Sequence, residues 1–259
     1  MIVQQKQKLA EGTYLLKIKA PGIAKQIHPG QYLCLRKDKD GPRLHAYPTS
    51  TDGGVLSFVF TEDGPCGELT KLKKGEEISV CCGPLGKPFA INEYGNVVIV
   101  ADGDGIGASL PLGKALKAAG NRVYFIGRYP SKKAKFWEGK LGDSFDKWAL
   151  VIKREDNNDP LLKEFNSLLR RKHVKLALAL CDLATMPILT HLTELRSSLY
   201  CSLLGLVTDG PGLCTQCRVS LGGDTKLPCV DGPLVNAHRI NWDEIIARHI
   251  LIPPVPLIH

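Results

Sequence analysis

The chain has 259 residues, is 44% hydrophobic and 23% charged, and sets 34 Lys and Arg against 26 Asp and Glu for a formal net charge of +8. That composition excludes disorder as the main state and leaves length for one large domain or two modest ones. No run reaches the ~18 apolar residues of a membrane helix. Met1-Ile2-Val3-Gln4-Gln5-Lys6 leads into alternating sequence without a signal-peptide core, so the expected setting is the cytoplasm. The positive charge reads as a solvated lysine-rich surface or as attraction to an acidic partner or phosphate ligand. Without a basic stripe interleaved with aromatics, nucleic acid is not an expected partner.

Residues 1–92 read as strands. Residues 13–19 alternate, 30–35 start after a Pro-Gly turn, and 55–60 form a β-branched and aromatic run after Asp52-Gly53-Gly54. Residues 76–80 then lead to Gly83-Pro84-Leu85-Gly86. Short strands punctuated by Gly and Pro predict a small antiparallel barrel or sandwich.

The pattern changes over 93–200. Residues 96–100 (NVVIV) are a continuous apolar run, as in a strand buried on both faces. The turn Asp102-Gly103-Asp104-Gly105-Ile106-Gly107 follows, then a helix over 108–119 closed by Gly120, and a strand over 122–126 (RVYFI). Strands over 147–152 and 174–180 and a helix over 187–197 continue the alternation, which predicts an α/β domain with a mainly parallel sheet. From 201 to 240 the periodicity stops. That segment is rich in Gly, Pro and Cys, and a cofactor rather than apolar burial is expected to hold it. In the tail, 241–259, residues 251–258 are apolar and broken by prolines. They read either as a docking strand for a partner or as a strand packed on the chain's own barrel.

Nine cysteines stand at 34, 66, 81, 82, 181, 201, 214, 217 and 229. The first six read as small buried apolar side chains. The last three crowd into a short stretch with Asp209 ahead of them. Asp209-x4-Cys214-x2-Cys217-x11-Cys229 has the plant-type ferredoxin spacing with aspartate in the first position. Thiolates are soft ligands suited to iron–sulfur clusters, and Gly205, Gly210 and Gly212 allow the bends of a wrapping loop. The alternatives are a zinc site completed by Asp209 or His238, and unliganded thiols.

The glycine turn admits two readings. Close glycines at a helix start let backbone N–H groups approach a pyrophosphate. Here the spacing is Gly103-x-Gly105-x-Gly107, one residue short of the dinucleotide fingerprint, and Asp102 and Asp104 add negative charge. A tight structural turn is the other reading. Two barrel loops look like flavin contacts: 43–50 (RLHAYPTS), with Arg43, Tyr47, Pro48, Thr49 and Ser50, and Gly64-Pro65-Cys66-Gly67-Glu68-Leu69-Thr70. Each taken alone is also an ordinary loop.

Several motifs carry a resemblance over nearly the whole chain. They are His28-Pro29-Gly30-Gln31-Tyr32, Gly83-Pro84-Leu85-Gly86-Lys87-Pro88, Gly105-Ile106-Gly107, and above all the end of the chain. There Val207-Thr208-Asp209-Gly210-Pro211-Gly212-Leu213-Cys214-Thr215-Gln216-Cys217-Arg218-Val219 precedes Pro228-Cys229-Val230-Asp231-Gly232-Pro233 and Asn241-Trp242-Asp243-Glu244. The chain resembles the ferredoxin-reductase-like electron-transfer subunits. Within them it is most similar to the small-subunit family of NADH-dependent reduced ferredoxin:NADP+ oxidoreductase, also called sulfide dehydrogenase. The electron-transfer subunits of dihydroorotate dehydrogenase, with four cysteines, are the sister family.

The resemblance implies an FAD-binding antiparallel β-barrel, a Rossmann-like parallel-sheet nucleotide domain and an irregular [2Fe–2S]-binding segment. It implies FAD on the two barrel loops and a cluster on Asp209, Cys214, Cys217 and Cys229. NAD(H) is implied on Gly103, Gly105, Ile106, Gly107, Gly127 and Arg128, with Cys181 of Cys181-Asp182-Leu183-Ala184-Thr185-Met186 beside the nicotinamide. It further implies a larger FAD and [4Fe–4S] partner subunit, in a heterodimer or higher assembly, where bifurcation takes place and through which ferredoxin is reached. No membrane partner is implied.

Overall fold

The computed structural model describes residues 1–154, 159–194 and 196–248. The apolar tail at 251–258 lies outside the described residues, as does Leu195 of the predicted helix 187–197. The N-terminal unit runs β1 (Val3–Ala10), β2 (Thr13–Lys19), a helical turn α1 (Pro21–Ala24), β3 (Tyr32–Arg36), β4 (Leu44–Ala46), β5 (Val55–Thr61) and β6 (Val80–Leu85). Two antiparallel sheets result, in the orders β1-β2-β5 and β4-β3-β6. The strand period of two decides what each face meets. Leu16, Ile18, Leu33, Leu35, Leu44, Phe58 and Phe60 point inward and make the barrel core. The alternate residues Leu15 and Val59, paired across β2 and β5, point out and pack in a second core with the α/β domain.

That domain follows as β7 (Asn96–Asp102), α2 (Gly105–Ala118), β8 (Arg122–Tyr129), β9 (Lys147–Ile152), α3 (Pro160–Lys172), β10 (Leu176–Leu180), α4 (Thr185–Thr193) and β11 (Ser198–Ser202). The sequence reading did not include α3. Asp159 caps it by accepting from the Leu161 amide at 2.9 Å, Pro160 opens it, and Leu161, Phe165 and Leu169 bury one stripe. After β11 the cluster segment forms a small hairpin, β12 (Val219–Leu221) with β13 (Asp224–Lys226), then α5 (Pro228–Asp231), β14 (Leu234–Asn236) and α6 (Trp242–Arg248).

The large sheet has the order β14-β11-β10-β7-β8-β9. Strands β7 to β11 are parallel, and β14 is antiparallel to β11. The cluster segment is therefore tied to the sheet edge at both ends, and the sheet runs past residue 200, where the sequence pattern changes. Strand order reverses between β7 and β10. In open α/β sheets, that switch point opens a crevice at the carboxyl ends of the strands. Among the described residues no helix is long and apolar enough to cross a membrane.

Candidate functional site

A cavity of about 410 Å³ occupies the switch point. Its walls come from four separate segments: Arg43, His45 and Tyr47 on the barrel, Gly64 and Pro65 on the next loop, Asp102 to Gly105 after β7, and Cys181 after β10. Ser202, Leu204 and Val207, at the entry to the cluster segment, close it. Tyr47 Oη lies 2.7 Å from Ser202 Oγ, which joins the barrel loop to β11. Burial, with Asp102 adding to it, pushes the Cys181 thiol well above its ordinary value, so the group stays a neutral S–H.

Other expected contacts fall elsewhere. Pro48, Thr49 and Ser50 line a neighbouring groove of about 400 Å³ between the barrel and α2, with Tyr47 shared between the two. Cys66 and Leu69 point into the barrel core, and Cys66 Sγ contacts the His45 carbonyl at 3.5 Å, so neither side chain faces the cavity. Glu68 pairs with Lys71 at 2.8 Å, and the Thr70 carbonyl accepts from Lys6. Gly67 is required because a Cβ there would overlap the Glu62 carbonyl.

The turn glycines are set by packing. Gly103 is left-handed, at φ 48°. A Cβ on Gly105 would overlap the Leu180 carbonyl, and one on Gly107 would lie 2.7 Å from both Thr49 Oγ1 and Val59 Cβ. Ile106 is buried, and Gly127 lies in the sheet interior against Phe125 and Leu150. Asp104 accepts from the Thr61 amide at 2.7 Å and the Thr61 hydroxyl at 2.9 Å, linking the start of α2 to the barrel. Burial pushes its pKa up to about 6, against the pull of the Thr61 donors.

Arg128 is buried and bonded to Asp102, Asp159, Asp182 and, at 2.8 Å, the Thr185 hydroxyl. Its cation is thereby neutralised inside the fold rather than offered to a phosphate. Likewise Asp102 and Asp104, which the sequence placed beside a phosphate, are committed to bonds within the protein.

The cysteine-rich loop stands on the outer face of the barrel. Along β3 and β4 the residues alternating with the core, Tyr32, Cys34 and His45, face this segment. The single Tyr32 Oη hydrogen is shared between the carbonyls of Gly210 at 3.1 Å and Cys229 at 3.0 Å. Gly210, Gly212 and Thr215 take left-handed conformations that fold the loop back on itself.

Cys217 and Cys229 are buried, with sulfurs 3.3 Å apart, and Cys214 is partly buried in the same loop. Asp209 accepts from the Cys214 amide at 2.7 Å and the Gly212 amide at 3.4 Å. Burial works to raise the Asp209 carboxyl, but the Cys214, Leu213 and Gly212 backbone donors outweigh it and hold it below its ordinary value. Among the described residues no three His, Cys, Asp or Glu side chains already close around one point. Three thiols and an ionised carboxylate on a loop bent by left-handed residues nonetheless fit an iron–sulfur group in donor chemistry.

Sequence reasoning gave His45 and Asp182, inside stretches it quoted, no role of their own, and missed Thr61 and Ser202, which only their distant partners Asp104 and Tyr47 mark out.

The comparisons bear on the whole chain. Residues 206–241 match the model of the iron-sulfur cluster binding domain of dihydroorotate dehydrogenase B. A Thermotoga maritima protein named as a homolog of the dihydroorotate dehydrogenase B (NAD(+)) electron transfer subunit is 30% identical over 255 residues, covering 95% of this chain and 89% of the relative. The electron transfer subunit of Clostridium acetobutylicum is 26% identical over 240 residues, covering 90% and 92% of the two chains. A chain from the NADH-dependent reduced ferredoxin-NADP oxidoreductase structure superposes with a TM-score of 0.86 at 28% identity, over 95% of this chain and 91% of that one. A ferredoxin-NADP+ reductase from Plasmodium falciparum, at 13% identity and TM-score 0.60, shares the fold. The chain thus has a ferredoxin-reductase-like fold with an iron–sulfur-binding domain, and it belongs to the family of dihydroorotate dehydrogenase B electron-transfer subunits.

Proposed function

We propose that this chain holds FAD in the switch-point cavity and a [2Fe–2S] cluster on Asp209, Cys214, Cys217 and Cys229. It exchanges a hydride with NAD(H) and passes electrons to a larger flavin and [4Fe–4S] subunit. The observation that carries this reading is the convergence of the barrel loop, the turn after β7, Cys181 and the entry to the cluster segment on one cavity. A flavin, when bound, supplies two-electron chemistry toward a nicotinamide and one-electron chemistry toward a cluster.

The chain's own residues divide the remaining work. Tyr47 and Arg43 on the barrel, with the backbone of Gly64 and Gly103, would hold the flavin. Cys181 presents a neutral thiol where β10 ends, the position from which it would contact a nicotinamide. The tie from Tyr47 to Ser202 and the Asp104 link to Thr61 keep the barrel and sheet walls in register. On the outside, Leu213 is 85% exposed and Val230 43% exposed, beside Cys214 and Cys229. Apolar side chains left in water next to the cluster loop support partner docking there.

The partner reading of the ferredoxin:NADP+ type is favoured by Asp209 in the first ligand position and by the Trp242-Asp243-Glu244 ending. The dihydroorotate reading is supported by the names of the relatives. Anaerobically purified protein should show flavin absorption and broad iron–sulfur absorption, with one flavin and two irons per chain, and NADH should bleach the flavin. A colourless zinc protein would sink the proposal. Native mass spectrometry of the complex from its own cells, with a dihydroorotate-oxidising subunit in place of a larger iron–sulfur flavoprotein, would overturn the choice of partner.

A further inference from the structure

His45 sits on the edge strand β4, between two sites that the proposed function assigns to different cofactors. His45 lines the switch-point cavity. Its Nε2 is buried with no hydrogen-bond partner among the described residues. The same nitrogen stands 3.6 Å from where a Cβ on Gly210 would be, beside the first residue of the cluster loop's ligand set. Tyr32, whose hydroxyl holds that loop, packs edge-on against the His45 ring at 5.7 Å. A buried ring nitrogen left unpaired costs about 1–3 kcal/mol, so it calls for a partner.

A neutral imidazole carries one N–H. The Asp209 carboxylate and the Arg43 cation both act on this ring, and with the Asp209–Gly210 turn on the Nε2 side, an acidic acceptor there favours the tautomer with hydrogen on Nε2. In the loaded protein that hydrogen would point at the Asp209 end of the cluster. A donor aimed at a cluster or its ligands stabilises the reduced form, which carries one more negative charge, and so raises the reduction potential.

We propose that His45 is a positioning residue joining the two redox sites: it fills the gap between the flavin cavity and the cluster loop and donates its Nε2 hydrogen to the Asp209 end of the cluster. The inference rests on the cluster reading above. It adds a residue outside the ligand motif that sets the cluster's potential from the flavin side.

The test uses the full chain, loaded anaerobically, with iron and flavin counted before any potential is read. His45→Phe keeps a ring and removes the donor, whereas His45→Gln restores an N–H. The expected result, read on chains matched for iron and flavin content, is a tenfold lower ratio of reduced to oxidised cluster in His45→Phe at fixed potential, about 59 mV for a one-electron couple. His45→Gln should recover most of the shift. Pulsed EPR of the reduced wild-type cluster, made with 15N-histidine, should show a weak nitrogen coupling that His45→Gln lacks. An unchanged midpoint in fully loaded His45→Phe, or equal shifts in both variants, overturns the inference. If His45→Phe fails to hold iron, the wild-type 15N measurement decides, and absence of coupling overturns it. A wild-type chain that takes up no iron removes the cluster reading and this inference with it.

Discussion

The parallel sheet and the cluster segment adjoin each other in one chain and are held in opposite ways. Residues 97–101 of β7 and 176–180 of β10 are all buried, and these two neighbouring strands pair with each other without a break. The cluster segment has three-residue strands and turns on Gly210, Gly212, Thr215, Gly222 and Gly223 in left-handed conformations. Its framing residues Leu203, Leu206, Val207, Val219, Leu221, Val235 and Ile240 share the core of the sheet, but the loop that carries the cysteines is fixed by a few polar bonds. Tyr32 reaches it from the barrel, Asp209 caps its own loop, Asp231 accepts from the Leu227 amide at 3.1 Å, and Glu244 accepts from the Ser220 amide at 3.1 Å. Apolar burial scales with area and suffices for the sheet. The segment shares that core at its ends, and between them the cysteine loop depends on specific bonds, so a ligand that joins its side chains has more to add there.

The largest expected effect breaks the sheet. Leu178 is fully buried at the centre of β10, with β7 on one side and β11 on the other. Leu178→Ala should destabilise the chain by about 2–5 kcal/mol, through lost transfer energy and the cavity left behind. The loss should appear as a lower melting temperature for the whole molecule, cluster segment included, because β11 and β14 frame that segment. If only sheet amides lost protection while the segment melted as before, the two regions would be more independent than this comparison holds.

Asp104 tests the seam between barrel and sheet. Burial raises its pKa to about 6, above the ordinary carboxylate value near 3.9. The native state therefore holds this proton more tightly than the unfolded chain does. The stability it contributes is complete below about pH 3.9 and is lost as pH rises through 6, roughly 3 kcal/mol in all. Asp209, Asp231 and Glu244 are shifted the other way, so their contributions are lost only as pH falls below about 4. Asp104→Asn keeps an acceptor for Thr61 but cannot titrate. Between pH 4 and 6.5 the wild type should lose stability relative to Asp104→Asn, measured by thermal melts at matched ionic strength. Parallel pH profiles would remove the buried carboxylate from the seam. Asp102, also pushed up to about 6 by burial, makes a second contribution of the same sign that Asp104→Asn leaves in place.

How much of this was legible in the sequence depends on the range of the signal. The NVVIV run and the alternating β2 fix their own faces, so the barrel and parallel sheet follow from local pattern. The iron–sulfur-binding domain was legible from the cysteine spacing, because chemistry sets that spacing. The glycine turn was legible as a turn but not as to cause. Gly105 and Gly107 lack a Cβ because Leu180 and Val59 approach them, and a pyrophosphate would demand the same residue. Cys66 and Leu69 belong to a loop whose side-chain directions only the barrel core decides. Strand β14 is three residues long and has no periodicity to read. Tyr47 and Ser202 are 155 residues apart, and Thr61 and Asp104 are 43 apart, so no local pattern could have paired them.

Tyr32 sharpens the comparison from the segment's side. Tyr32→Phe keeps the buried ring and removes the hydroxyl that serves the Gly210 and Cys229 carbonyls. The expected cost is about 1–3 kcal/mol, for two buried acceptors left unpaired. It should be local: hydrogen exchange should quicken roughly five- to 150-fold across 207–231, while amides of β7 and β10 keep their protection. Equal quickening in both regions would mean that the hydroxyl supports the whole fold and that the polar-anchor picture of the segment is wrong.

The smallest effect belongs to the ion pair that ties the same segment to the barrel from outside. Lys87 Nζ lies 3.0 Å from Asp231 Oδ1, but the lysine side chain is 64% exposed and the aspartate 31%. Water and salt screen such a pair, and its worth is about 0–1 kcal/mol. The backbone beside it already holds the junction, since the Lys87 amide donates to the Gly232 carbonyl at 2.6 Å. Lys87→Met removes the charge and keeps that amide, so iron content should match wild type and exchange rates over 207–231 should rise by no more than about fivefold at 0.15 M salt. A loss as large as that of Tyr32→Phe would show that charge at the rim, rather than the buried hydroxyl, anchors the cluster loop. The contrast between the two variants thus measures how far the segment is held from within.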